Sequence, residues 1–281
     1  MSAIGGIISL KQTPVGIEDF NPVMKALSHL GPDGSGVWRE GPCALGHQMF
    51  RITPESLQEP LPFFDPGSDL AITADARLDN REELCDALDL SPDEGRELPD
   101  SHLIMKAFQK WGEDCVCQLL GDFVFALWDQ RKGRMILVTD HMGRSPVYYY
   151  QDNARFVFAT EIKGLLAAPQ VRTRLDMEKL AMEAVPGLAF LDKARTFFEG
   201  IKRAPAATII SVREGGSHRG FIGNRKSRNR STSGVRTNLQ RPFRTCSAGQ
   251  SGCACGALFR WPPSFRAAST PRRQRAWPLL S

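Results

Sequence analysis

The chain changes character near Gly216. Residues 1–216 carry all 31 acidic residues and 23 of the 36 basic ones, a net of −8. Residues 217–281 carry the other 13 basic residues, twelve of them Arg, and no acid. The overall +5 therefore describes neither part. The first part has the spaced apolar patterning of a globular domain and is long enough to bury a core. The second is rich in Arg, Ser, Gly, Pro and Ala and has no helical or alternating period. Such a stretch buries too little apolar surface to offset its ordering entropy. The sequence predicts a folded domain over 1–212 and a disordered, basic, low-complexity tail over 213–281. Two readings of the tail stay open. One is a basic arm that attracts polyanions, nucleic acid among them, through their phosphates. The other is a frameshift product, the wrong frame of a GC-rich gene entered near Gly216.

Several classes are set aside at this level. No run of about 18 apolar residues occurs, so no membrane span is expected. The start, Met1-Ser2-Ala3-Ile4-Gly5-Gly6-Ile7-Ile8, lacks a basic leader and reads as part of the fold. The seven cysteines form no paired C-x-x-C ligand set, so no metal site is expected. Free thiols without a secretion signal fit the cytoplasm. Cys115 and Cys117 admit two readings, a redox pair or two small buried side chains flanking Val116.

Period and punctuation place strands at Ala3–Ser9, Ala44–Ile52, Leu70–Leu78, Asp122–Asp129, Arg134–Thr139, Pro146–Tyr150, Arg155–Thr160 and Thr208–Arg213. Helices are expected at Asn80–Leu88, Ser101–Lys110, Glu161–Ala167 and Asp176–Ala184. Another follows Asn21-Pro22, with Pro in its first turn. Gly31–Gly36 reads as a loop by composition. Strands and helices come in clusters, which favours an α+β layered domain over a βαβ repeat.

The order of motifs carries more. His29-Leu30-Gly31-Pro32-Asp33-Gly34-Ser35-Gly36, Leu45-Gly46-His47 and Leu78-Asp79-Asn80-Arg81-Glu82-Glu83-Leu84 come first. Leu120-Gly121-Asp122-Phe123, Asp140-His141-Met142-Gly143-Arg144-Ser145-Pro146 and Phe158-Ala159-Thr160-Glu161-Ile162-Lys163-Gly164 follow. Together they resemble the N-terminal half of glutamine-dependent asparagine synthetases, over about residues 1–212. That half is a class II glutamine amidotransferase domain, so the resemblance implies a four-layer αββα sandwich of the N-terminal-nucleophile hydrolase type. The family reaction is ATP-dependent amide formation with glutamine as nitrogen donor.

In that family, removal of Met exposes a Cys whose thiolate attacks the glutamine amide while the α-amine acts as base. The matching residue here is Ser2. The family Asn and Gly that donate to the oxyanion line up with Asp75 and Ala76. An ionised Asp75 cannot donate; a lost donor costs roughly 3–4 kcal/mol. A like charge ~4 Å away adds roughly 4 kcal/mol at an effective dielectric near 20. The Arg that grips the glutamine carboxylate falls on Met49, and the Glu of the pocket on Arg77. Asp100 lines up with the Asp that holds the substrate ammonium. The match is therefore closest to the degenerate branch represented by β-lactam synthetases and lasso-peptide cyclases, whose first domain is silent. ATP and Mg are expected only in a synthetase domain, whose Ser-Gly-Gly-x-Asp-Ser loop does not occur in residues 1–281. The expected partners are such a domain or chain and a second copy of this chain. Two alternatives remain beside the silent domain: an active amidohydrolase using Ser2, and a nucleic-acid-binding protein acting through the tail.

Other residues carry ordinary readings. His47 reads as a strand histidine. Asp33 and Glu161 read as turn and helix-start residues before an acid–base pair. Trp128 and Tyr148-Tyr149-Tyr150 read as packing residues before a ligand platform. Arg144, in place of a family Lys, sits in a turn expected to face a second domain.

Overall fold

The apolar run Ala3–Ser9 forms strand β1, and all of it is buried. Successive side chains leave a strand on opposite faces. Ile4 and Ile8 thus enter one core, while Ala3 and Ile7 enter another. In a computed structural model that describes residues 2–51, 57, 59–185, 188 and 192–222, β1 pairs antiparallel with β3 (Cys43–Met49) and β9 (Arg155–Ala159). Beyond β3 lies β2 (Gly34–Glu40); beyond β9 lie β8 (Tyr148–Gln151) and β10 (Ile201–Arg203). A second antiparallel sheet runs in the order β12 (Gly216–Phe221), β11 (Thr208–Arg213), β7 (Arg134–Thr139), β6 (Gly121–Asp129), β5 (Leu70–Leu78), β4 (Phe63–Asp65).

Three apolar clusters hold four layers together. Between the sheets, Ile4, Ile8, Leu45 and Phe158 meet Ala71, Val124, Trp128, Leu137 and Ile210. Outside the first sheet, Ile7, Ala44 and Val157 pack under Phe20, Val23, Met24 and Leu27 of the α1 region (Ile17–Ala26) and Leu165 of α5 (Ile162–Leu166). Outside the second, Ile72, Phe125 and Val138 pack under Leu84 of α2 (Arg81–Ala87) and Leu103, Ile104 and Phe108 of α4 (Asp100–Trp111). This is the αββα sandwich of antiparallel sheets expected from the motif order. Two further helices are α3 (Pro92–Glu97) and α6 (Met177–Glu183).

Several expectations shift. Helix α1 starts at Ile17 and carries Pro22 inside it. Pro22 cannot donate to the Glu18 carbonyl, but Glu18 lies on the exposed flank, where water can take that bond. The segment 31–36 is loop only as far as Asp33, because β2 begins at Gly34. Strand β12 pairs with β11 from Gly216 to Phe221, so the second sheet reaches past residue 212, where the sequence places the domain end. The tail readings for 223–281 lie outside the described residues. Trp128 is buried between the sheets, and Tyr149 stacks on Phe156 with ring centroids 5.5 Å apart. Cys115 is buried, but Cys117 is exposed, and both are free thiols. No helix among the described residues is long and apolar enough to cross a membrane.

Gly6 is where β1 and its neighbours come too close for any side chain. A Cβ there would stand 2.3 Å from the Phe158 ring and 2.9 Å from the Ala44 carbonyl oxygen. Phe158 is fully buried and cannot swing away. We expect Gly6→Ala to cost at least about 1–3 kcal/mol by overpacking. Urea unfolding of the variant beside the parent measures this directly.

Candidate functional site

At one end of the sandwich the start of β1, the end of β3 and the middle of β5 surround a cleft of about 280 Å³. Its lining includes Ser2, Met49, Phe50, Asp75, Ala76 and Arg77, together with Glu59, Asp122 and Arg144. Five of the six residues singled out from the sequence, Ser2, Met49, Asp75, Ala76 and Arg77, therefore come together. The sixth, Asp100, does not line the cleft. Its carboxylate accepts from the Leu78 N–H at 3.0 Å and from the Arg81 guanidinium, which also donates to the Gly95 and Leu98 carbonyls. Asp100 thus clamps the end of β5 to α4, a structural task its position in the family pattern does not reveal.

Ser2 is 9% exposed and fixed on two sides. Its hydroxyl donates to the Phe50 carbonyl (3.3 Å) and accepts from the Phe50 N–H (3.1 Å). Its backbone N–H donates to Asp75 Oδ1 at 3.3 Å. Period two along β5 explains the last contact. Ala71, Thr73 and Asp75 face the other sheet, whereas Ile72 and Ala74 face the helix layer. Ala76 shares the second parity and packs partly against the outer core. Burial pushes the Asp75 carboxyl up to about 6, opposed by the positive chain terminus and the Ser2 N–H.

The mouth of the cleft is built by two short motifs. In the first, Gly121 opens β6 at φ 143°, where a Cβ would strike the Arg77 carbonyl oxygen at 2.0 Å. Only glycine allows this approach, and it sets Asp122 opposite Arg77 in the ladder. In the second, the buried Asp140 carboxylate accepts from the N–H groups of Met142 (2.8 Å) and Arg144 (3.2 Å), shaping the turn that carries Arg144. The guanidiniums of Arg77 and Arg144 then meet Asp122, each at 3.3 Å. Arg77 also grips Asp79 through two bonds, of 3.0 and 3.3 Å. Both arginine side chains are well exposed, 62% and 69%, so these pairs hold the rim in place more than they stabilise the fold.

Glu59 is a cleft residue that the sequence did not single out. It accepts from the Ser101 hydroxyl, and burial raises its carboxyl above the usual range. It lies in an irregular stretch with no period or motif, so no local signal marked it. Asp122 was visible inside the Leu-Gly-Asp-Phe motif but not as a site residue. His47 also borders the cleft. Its Nδ1 lies 3.1 Å from the Thr73 hydroxyl, and burial lowers it to about 4, so it stays neutral and ties β3 to β5. Asp33 and Glu161 do not pair. Asp33 accepts from the Arg51 N–H, while Glu161 faces His29 and Lys163. Among the described residues no group of three or more His, Cys, Asp or Glu is placed to hold a metal.

Asp75 makes stability depend on pH in the chain that carries Met1. Its folded pKa, about 6, lies above the ordinary 3.8. The stability contributed by its protonated form is complete below the lower value and is lost as pH rises through the upper one. Asp75→Asn should therefore stabilise this form at pH 7.5, by up to roughly 3 kcal/mol, relative to its effect at pH 3.5. Thermal unfolding of both chains across that range tests the sign; an equal effect at both pH values would contradict it.

Residues 1–221 match the glutamine amidotransferase domain family. The glutamine-hydrolyzing asparagine synthetase 3 of Bacillus subtilis (strain 168) is 29% identical over 192 residues, 68% of this chain and 31% of that protein. The glutamine-hydrolyzing asparagine synthetase of Asparagus officinalis is 33% identical over 144 residues, 50% of this chain and 24% of that protein. This chain thus spans less than a third of the length of either relative. In fold, it is similar to the glutamine phosphoribosylpyrophosphate amidotransferase of B. subtilis. The TM-score is 0.55 at 13% identity, covering 79% of this chain and 50% of that one. With most of its length matched, the chain belongs to the glutamine amidotransferase domain family, which it shares with glutamine-hydrolyzing asparagine synthetases.

Proposed function

We propose that the chain is the front domain of an ATP-dependent amide-forming synthetase and that it does not itself split glutamine. The observation that carries this reading is the contact of Ser2 with Asp75. Where the family chemistry needs donors aimed at a developing oxyanion, this cleft offers a carboxylate that is largely ionised at neutral pH. The Ser2 hydroxyl is committed to Phe50 in both directions, so its proton is not directed at a base. Met49 supplies no charge for a substrate carboxylate, and Arg77 puts a cation into the lining. ATP and Mg belong to a synthetase part, on this polypeptide or another, and no step of that chemistry falls on residues 2–222. The partners in this reading are that part and a second copy of the chain. Its setting is the cytoplasm, where the free thiols of Cys43, Cys85, Cys115 and Cys117 stay reduced.

Purified protein with Met1 removed should release no ammonia from glutamine above solvent background in a coupled glutamate dehydrogenase assay. Ser2→Cys alone should leave it at background, because a thiol does not restore the donors or the carboxylate grip. Ammonia release by the parent that Ser2→Ala abolishes would establish the amidohydrolase alternative instead.

The basic segment makes a separate claim. Residues 223–281 hold twelve of the 13 basic residues beyond Gly216 and no acid. They should bind nucleic acid without sequence preference and lose it steeply with salt. The deletion that tests this begins at residue 223, because β12 belongs to the sandwich. Binding that survives the deletion would rule the segment out as its source.

A further inference from the structure

The Ser2 backbone nitrogen stands 3.3 Å from a carboxylate oxygen of Asp75, in a chain segment that has little freedom to relocate. On one side Ser2 runs into β1, whose Ala3 is registered against Gln48 of β3 and whose Ile4 N–H donates to Thr160 Oγ1 at 2.9 Å. On the other, its hydroxyl is held by the peptide groups of Phe50. While a residue precedes Ser2, that nitrogen is an amide with one N–H. Serine is small enough to permit removal of a methionine before it. The same nitrogen then becomes a primary amine, with an ordinary pKa of about 7.7–8 and three N–H donors when protonated. A cation replaces a neutral donor at the same place, facing the same oxygen.

We infer that in the chain beginning at Ser2, Asp75 holds the terminal ammonium as a partly buried ion pair, so that the amine where a base would act becomes a fixed cation. This deepens the reading of a domain without glutaminase activity and rests on it. The other charged groups of the cleft have partners of their own. Asp122 is engaged by Arg77 and Arg144, and Glu59 by Ser101. The Arg51 side chain leans on Met49 Sδ at 3.7 Å, and neutral His47 is bound to Thr73. Asp75 is thus the acid turned toward the terminus. The pair acts in two directions. It keeps the amine protonated, and it keeps Asp75 ionised in a setting that otherwise favours the neutral acid. The oxygen that faces the nucleophile position is therefore an anion already occupied by a cation, and the cleft closes on its own terminus.

The full chain is prepared in two forms, with Met1 removed and with Met1 retained by inhibiting the aminopeptidase, each confirmed by intact mass. In the processed form, the Ser2 amine should react with a limiting acylating reagent at pH 7.5 at least about tenfold more slowly than in processed Asp75→Asn, the deficit of one pKa step. The Asp75 carboxyl, followed by 13C NMR, should titrate below the ordinary 3.8 in the processed form and near 6 in the form that keeps Met1. Equal amine reactivity in parent and variant, or an Asp75 that titrates near 6 in both forms, overturns the ion pair. If Asp75→Asn does not fold, the Asp75 titrations in the two parent forms decide alone. A normally reactive amine without ammonia release removes only the ion pair; ammonia release removes the silent-domain reading.

Discussion

Everything else in this structure depends on β1 being buried on both faces. A strand that must fill two cores cannot slip by one residue, because a slip would exchange its two faces. Ile4 and Ile8 then belong between the sheets, and Ala3 and Ile7 under α1. Gly6 enforces the fit, since no side chain fits between its backbone and Phe158. The register fixes where the chain enters the sandwich. Ser2 is consequently delivered to the end of the inter-sheet space, opposite the inward-facing parity of β5.

The cleft follows from that placement and from two turns. Gly121 lets β6 approach β5 closely enough for Asp122 to sit opposite Arg77. Asp140 gathers N–H groups so that Arg144 reaches the same rim. Arg51, Arg77 and Arg144 then stand against Glu59, Asp75 and Asp122 among the lining residues. The signs balance, three against three, but the positions are not equivalent. The arginines project at the mouth, while Glu59 and Asp75 sit deeper, where burial raises both carboxyls. A family site built to receive a zwitterionic amino acid would need a cation for its carboxylate and donors for its oxyanion. The lining of this cleft has Met49 and Asp75.

What the sequence made legible tracks burial. Ala3–Ser9, Leu70–Leu78, Arg134–Thr139 and Thr208–Arg213 were read residue for residue, because most of each strand is buried and carries an apolar run that marks it. The strands missed were β2, β4, β10 and β12, which are short or exposed and sit at sheet edges. Edge strands need no apolar alternation, so Gly34-Ser35-Gly36 looks like loop until β3 pairs with it. Strand β12 was hidden further by its composition, lying just past the loss of acidic residues. In the site, motif order brought Ser2, Met49, Asp75, Ala76 and Arg77 to attention. Alignment to a pattern could not show that Asp100 spends its oxygens on Leu78 and Arg81, nor that Glu59 arrives from an irregular stretch. Those are facts of packing between distant segments.

The fold and the cleft are separable on energetic grounds. None of Ser2, Met49, Asp75 and Arg77 belongs to the three apolar clusters that join the layers. Met49 and Arg77 therefore add no side chain to those clusters, while Ser2 is a buried and Asp75 a partly buried polar group, whose substitution acts through hydrogen bonds and charge. Gly6, Gly121 and Asp140 are different, since each is dictated by a close approach or by the turn N–H groups it binds. Under the silent-domain proposal, the positions of Ser2, Met49, Asp75 and Arg77 are then the ones at which such a chain is free to change. It must keep the glycines, the turn aspartate and the two-faced strand. These residues of the cleft and those of the framework thus fall into two sets, one at the end of the inter-sheet space and one within the layers.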